Sequence, residues 1–182
     1  MFIQTEPTPN PTTLKFLPGV EVMPHGTADF PDLARAARSP LAGRLFAVDG
    51  VTSVFLGSDF ITIGKDDSAD WQVVKPQVLA AIMEHFSSGQ PVINAGAEEA
   101  DTSGDEDSLV TQIKDLIETR VRPAVAQDGG DIIFRSFEDG IVYLHLQGSC
   151  AGCPSSSATL KHGIENMLKY YVPEVQAVQA VD

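Results

Sequence analysis

Cys150 and Cys153 are the only thiols in the 182 residues. They stand three apart in Gly148-Ser149-Cys150-Ala151-Gly152-Cys153-Pro154. Two thiols at that spacing converge on one centre when the chain between them is tight. Ala151 and Gly152 are small enough for the backbone to curl close to a bound atom. Pro154 suits the first position of a helix, and Cys153 then falls at the N-cap. The free N–H groups of that first turn, at Ser155 to Ser157, would point towards the sulfurs. They would favour the ligating thiolate over the thiol and could hydrogen-bond to sulfide.

Such a pair has several chemistries open to it. A dithiol–disulfide redox protein uses one, but the thioredoxin type needs a longer body after the motif than the helix and strand this chain provides. A structural zinc ion takes four ligands, so one pair per chain implies a zinc-bridged dimer. Two reduced cysteines could also simply pack, although an exposed strand–helix loop is a poor place for inert thiols. A cubane iron–sulfur cluster takes four thiolates. One chain has two and two chains have four, so this reading predicts a 4Fe–4S cluster shared across a two-fold axis. A cluster held that way lies near the surface with few ligands per chain, which suits cargo meant to be handed on.

The remaining candidate groups are weaker. His145 lies five residues before Cys150 on an expected strand, and His162 lies on the expected helix. Both read as surface or half-buried histidines rather than ligands. Asp128 and Asp131 flank Gly129-Gly130, and a turn held by Asx hydrogen bonds accounts for them better than a cation site does.

The elements that must position the cysteines follow from periodicity. Leu109, Ile113, Leu116, Ile117 and Val121 give the inner face of a helix that Ser108 can cap. Asp131 to Phe137 and Ile141 to Gln147 read as strands joined at Asp139-Gly140, a strong hairpin pair. A helix follows from Pro154 to about Tyr171, with Leu160, Ile164, Met167, Leu168 and Tyr171 on its buried side. Pro173 ends it, and Val175 to Val181 is a last strand. The order is α-β-β-α-β, one small sheet with helices on one face.

The N-terminal part also reads as α+β. Phe2–Thr5 and Thr12–Phe16 are expected strands around Glu6-Pro7-Thr8-Pro9-Asn10-Pro11. Ser39-Pro40 opens a short helix carrying Leu41, Leu45 and Phe46. Val51–Leu56 and Phe60–Gly64 form a hairpin across Gly57-Ser58-Asp59. A long helix begins near Asp70, with Trp71, Val74, Val78, Ala81, Ile82 and Phe86 as its stripe, and Gly89 and Pro91 stop it. Trp71 and Phe86 are expected in the core.

Between these parts, residues 95–107 read AGAEEADTSGDED and hold six of the chain's 25 acidic residues with no base. Such a stretch cannot bury enough surface to offset its ordering entropy. It is expected to be a flexible tether, spanning roughly 20 Å as a random coil. The expected domains are therefore 1–94 and 108–182. The net charge of −13 comes with no basic stripe to neutralise phosphates, so nucleic acid is not an expected partner. No apolar run approaches the ~20 residues that span a bilayer, so neither is a membrane. The first residues lack a basic start and an apolar stretch, so a cytosolic location is the default. A mitochondrial matrix protein whose presequence has been removed would read the same way.

At these residues the sequence resembles the NifU-like family, specifically the Nfu-type iron–sulfur carriers. In the C-terminal part the likeness rests on Val121-Arg122-Pro123, Asp128-Gly129-Gly130-Asp131 and Leu146 through Gly148-Ser149-Cys150-Ala151-Gly152-Cys153-Pro154-Ser155-Ser156. Thr159-Leu160-Lys161 and Gly163-Ile164-Glu165 continue it. In the N-terminal part it rests on Thr5-Glu6-Pro7-Thr8-Pro9-Asn10-Pro11, Leu14-Lys15-Phe16 and Ser39-Pro40-Leu41-Ala42. The resemblance implies a scaffold or carrier rather than an enzyme, with Cys150 and Cys153 as the 4Fe–4S ligands. It implies an upstream cluster donor, apo iron–sulfur client proteins and a cluster-dependent homodimer as partners. It also implies an N-terminal domain that selects those partners.

Overall fold

The structure, a computed structural model, describes residues 1–94, 108–149 and 154–181, and of residues 154–157 the backbone alone. The chain divides into two compact units, Met1–Glu99 and Ala100–Asp182. Both are α+β. The expected tether at 95–107 lies outside the described residues.

The first unit is a five-stranded antiparallel sheet in the order β1-β2-β5-β4-β3. β1 (Gln4–Pro7) and β2 (Thr13–Leu17) form a hairpin, with Pro7 opposite Leu14. Its turn is fixed by Asn10, whose Oδ1 accepts from Thr12 N at 3.1 Å and Thr12 Oγ1 at 2.8 Å. β1 therefore starts two residues later than the expected Phe2, and Phe2 is exposed. β3 (Ala28–Phe30) and a 3-10 turn at Arg35–Arg38 were not legible, since each is too short to show a period.

α1 (Pro40–Phe46) is capped as its sequence dictates. Ser39 Oγ accepts from Ala42 N at 3.0 Å, with Pro40 at the first helical position. β4 (Val51–Leu56) and β5 (Ile61–Lys65) form the expected hairpin. α2 (Trp71–Ser88) starts at Asp70, whose side chain accepts from Gln72 N at 2.9 Å, and ends at Gly89 with φ 70°. Val74, Val78 and Ile82 bury against Phe16, Phe30, Leu41, Leu45, Val54 and Ile63. Trp71 and Phe86 are half-buried at the margin of this core. The Trp71 ring lies 6.5 Å from that of Phe16, and its Nε1 donates to the Pro11 carbonyl at 3.3 Å. His85 was not foreseen as core, yet it is fully buried on the same helix face.

The second unit follows the expected α-β-β-α-β order, with one refinement. The first helix is continuous in space but changes type: α3 (Ser108–Leu116), a π segment at Ile117–Val121, then α4 (Arg122–Gln127). Its buried residues Ile113, Ile117, Val121 and Val125 recur every four residues. A pure α-helix of 3.6 residues per turn would rotate that stripe by about 40° at each step. The wider π turn rotates the chain less per residue and brings the stripe back towards the core. Pro123 also lacks an N–H to offer the preceding turn, which removes one α-type hydrogen bond at this position. Ser108 is the first residue of α3, so the residue that caps it lies outside the described residues.

β6 (Gly130–Glu138) and β7 (Ile141–Gly148) pair antiparallel around Asp139 (φ 51°) and Gly140 (φ 78°). Both central residues in the left-handed region are what a two-residue hairpin loop requires. α5 (Pro154–Tyr171) crosses over to β8 (Ala177–Val181), which lies parallel to β7. The sheet order is β6-β7-β8. Ile132, Val142, Leu144 and Val178 face one core with Ile113, Ile117, Ile164 and Leu168. The expected burial of Tyr171 is corrected: it is 41% exposed, beside the Arg120 guanidinium and edge-on to Tyr170. Val172, just past the end of α5, is the residue that buries, continuing the four-residue spacing of Ile164 and Leu168.

Candidate functional site

The expected ligands Cys150 and Cys153, with the cap role assigned to Cys153, lie outside the described residues. What surrounds them in sequence is well defined. β7 ends at Gly148 and α5 begins at Pro154, so the thiol segment links the end of the central strand to the N-terminus of an 18-residue helix. The partial positive charge at that helix end favours anionic groups.

The strand end is held by the turn that precedes β6. Ser149 N donates to the Gly129 carbonyl at 3.3 Å, and Ser149 Oγ donates to the Asp128 carbonyl. Gly130 stands opposite Gly148 in the ladder. Gly129 (φ 78°) and Gly148 (φ 64°) occupy the left-handed region, which an L side chain enters only at a cost. The Asp128–Asp131 segment is thus a clamp on the residue before Cys150.

The structure adds to this turn a partner that the sequence reading did not name. The Asp131 carboxylate is gripped by Arg122: Nε donates to Oδ1 and Nη2 to Oδ2, each at 2.8 Å. Oδ1 also accepts from Ile132 N at 2.8 Å. Asp131 is 3% exposed. The remaining guanidinium nitrogen, Nη1, donates to Glu118 at 2.7 Å. The hydrogen bonds to Asp131, its negative charge and then Glu118 raise the Arg122 pKa above its ordinary value, against the opposing effect of burial. Asp128 itself is exposed.

Opposite Asp131 in the ladder stands Gln147, 8% exposed. Its Oε1 is buried and finds no hydrogen-bond partner among the described residues. Neither Gln147 nor the Arg122–Asp131 pair was singled out by sequence reasoning. The nine-residue interval between Arg122 and Asp131 crosses a helix end and a turn, so no fixed spacing advertises the contact. A charged residue directly before the apolar run Ile132-Ile133-Phe134 was the available sign.

The two histidines stand as expected. His145 is half-buried with Nδ1 3.2 Å from the Val181 carbonyl. His162 is exposed on α5. Among the described residues no three His, Cys, Asp or Glu side chains group as metal ligands would. No helix among them is long and apolar enough to cross a membrane.

A small α+β unit presenting a two-cysteine strand–helix loop, joined to a second α+β unit without cysteine, defines a two-domain protein of the NifU class. Residues 3–89 match the family described as scaffold protein Nfu/NifU N terminal, and residues 113–179 match the NifU-like domain. The chain belongs to the Nfu-type NifU-like family.

Among its relatives is the protein of Drosophila willistoni named "NFU1 iron-sulfur cluster scaffold homolog, mitochondrial". It is 55% identical over 184 aligned positions, covering 100% of this chain and 64% of the relative. The Drosophila persimilis protein of the same name is also 55% identical, covering 100% of this chain and 65% of the relative. The chain thus spans just under two thirds of the length of these relatives. The solution structure of a NifU-like protein from Saccharomyces cerevisiae superposes with a TM-score of 0.43 at 30% identity, over 52% of this chain and 86% of that one. The expectation of a cytosolic location finds no support here, since both fly relatives are named mitochondrial.

Proposed function

We propose that this protein is an iron–sulfur cluster scaffold and carrier, which holds a 4Fe–4S cluster on Cys150 and Cys153 and passes it to apo-proteins. One observation carries the reading: the chain's only thiol pair lies in a NifU-like domain, between a clamped strand end and the N-terminus of α5. The names of the fly relatives support the cluster as cargo.

Two thiolates per chain cannot complete the coordination of a cubane cluster. A pair of chains supplies four, so the loaded form is a homodimer with each thiol segment facing its twin. The helix N-termini offset part of the repulsion between converging anionic sulfurs. The cluster binds the paired state far better than the single chain, so loading and dimerisation are linked. Transfer is ligand exchange. Each iron–thiolate bond to Cys150 or Cys153 is replaced by one to a client cysteine, with no net oxidation or reduction. The protein acts as a carrier rather than an enzyme, fed by an upstream cluster donor. The cysteine-free first unit selects the clients. The working location is mitochondrial, as the relatives' names suggest.

The test is anaerobic reconstitution followed by sedimentation with iron and sulfide analysis. Four irons and four sulfides per two chains, with the dimer dissociating when the cluster is chelated, is the expected result. A monomer that keeps a full cluster without added thiol refutes the shared site. A colourless protein that reduces disulfides refutes the carrier.

A further inference from the structure

The Arg122–Asp131 pair is costly for what it gives to stability. Burying the Asp131 carboxylate against a guanidinium whose side chain stays 26% exposed carries a desolvation cost, and an apolar pair of similar volume often stabilises a fold as well. A bidentate fork is better at enforcing one geometry. This one sits at a position where geometry matters. Glu118 holds the third guanidinium nitrogen at 2.7 Å, which leaves Arg122 little freedom to turn. The fork fixes Asp131, the second residue of the ladder in which Gly130 faces Gly148 and Asp131 faces Gln147. The Asp128 and Gly129 carbonyls just before it receive the two hydrogen bonds of Ser149. Cys150 is the next residue.

Gln147 strengthens this reading independently. Directly opposed residues of an antiparallel pair project from the same face, so the Gln147 amide shares the face of the Asp131 carboxylate. Its Oε1, buried with no partner among the described residues, is a polar group that costs stability where it stands, three residues before Cys150.

We propose that the Arg122–Asp131 fork, with Gln147 beside it, is a positioning device that fixes Ser149 at the end of β7, the residue from which the thiol segment starts, and thereby sets how long a bound cluster is kept. This rests on the carrier reading given above. Arg122 touches neither thiol nor cluster in this scheme; it acts through Asp131, the Asp128–Gly129 carbonyls and Ser149.

The test compares the full-length wild type with Arg122→Gln, Arg122→Lys and the charge-swapped double variant Arg122→Asp/Asp131→Arg. A core variant of the same unit, Ile164→Val, serves as a control for general destabilisation. Three quantities are read: amide exchange of Ser149 in metal-free protein, the visible circular dichroism of the reconstituted cluster, and the rate of cluster loss to a chelator. Arg122→Gln is expected to raise Ser149 exchange about tenfold or more, change the dichroism and speed cluster loss about tenfold. Arg122→Lys keeps the charge without the fork and should fall between. The double variant should recover part of each change, and Ile164→Val should leave all three near wild type.

Wild-type exchange at Ser149 in both Arg122→Gln and Arg122→Lys overturns the proposal, as does an Ile164→Val variant that reproduces their effects. A wild-type protein that takes up no iron refutes the carrier reading instead. The exchange measurement on metal-free protein still decides whether the fork holds Ser149.

Discussion

Leu168→Ala should unfold the second unit early and leave the first untouched. Leu168 is fully buried on α5 among Ile113, Ile117, Val142, Leu144 and Val178. Deleting its γ-carbon and two methyl groups removes their transfer free energy and leaves a cavity, a combined loss of about 2–5 kcal/mol. A unit of this size has a total stability of roughly 4–12 kcal/mol at the usual per-residue value, so the substitution removes a large part of it. Each kcal/mol moves the midpoint of a small domain by about 4–8 °C, so a loss near the middle of the range lowers it by roughly 14–28 °C. The chain itself provides separate probes. Its single tryptophan, Trp71, lies in the first unit, and its three tyrosines, Tyr143, Tyr170 and Tyr171, all lie in the second. Thermal unfolding followed by tryptophan fluorescence should keep the wild-type midpoint, while the tyrosine signal should fall early. On the proposed carrier reading, cluster loading should fail at temperatures where the tryptophan signal of the first unit still reports a folded state. One common transition, shifted for both probes together, would refute the independence of the units. A tyrosine midpoint lowered by less than about 4 °C would refute the packing assigned to Leu168.

Three further outcomes are expected. His85 is buried, and burial, followed by the nearby Arg44 charge, lowers its pKa from the ordinary 6.5. The unfolded chain therefore takes up a proton first, and the first unit loses stability as pH falls below about 6.5; His85→Leu should flatten that slope in tryptophan-detected denaturation. Replacing Cys150 or Cys153 by Ser leaves two thiolates per pair of chains, so reconstituted protein should sediment as a monomer without iron. Limited proteolysis should cut first within residues 95–107 and release two folded pieces; protection there with cleavage elsewhere would count against the tether.

Much of the scaffold was legible because its elements carry long, clean periods. Val74, Val78 and Ile82 on α2, and Ile164 and Leu168 on α5, repeat at helical spacing and bury as that spacing dictates. Ser39-Pro40, Asp70, Gly89 and Asp139-Gly140 mark element ends by local chemistry alone, since caps and tight turns depend on neighbours in sequence. The candidate thiols were legible for the same reason: their spacing is local. What could not be read depends on contacts between elements. β3 has three residues and owes its existence to pairing with β4. The π segment arises from fitting a four-residue repeat to a flat core. The Arg122–Asp131 fork joins a helix to a strand end, and the four-residue spacing of Ile164, Leu168 and Val172 passes over Tyr171. The acidic pair around Gly129-Gly130 was recognised as a turn, but its holding partner lay elsewhere in the chain.

The crossover through α5 bears on the order in which this protein assembles. The β6–β7 hairpin needs only a two-residue loop, so its pairing costs little chain entropy and can form early. β8 reaches β7 only after α5 has formed and docked, because a parallel partner cannot be reached by a tight turn. Cys150 and Cys153 lie inside that crossover, after the early hairpin and ahead of the late helix. The segment that carries them is therefore closed into the crossover only at that late step. Surroundings that keep free thiols reduced would protect the chain until the crossover is complete.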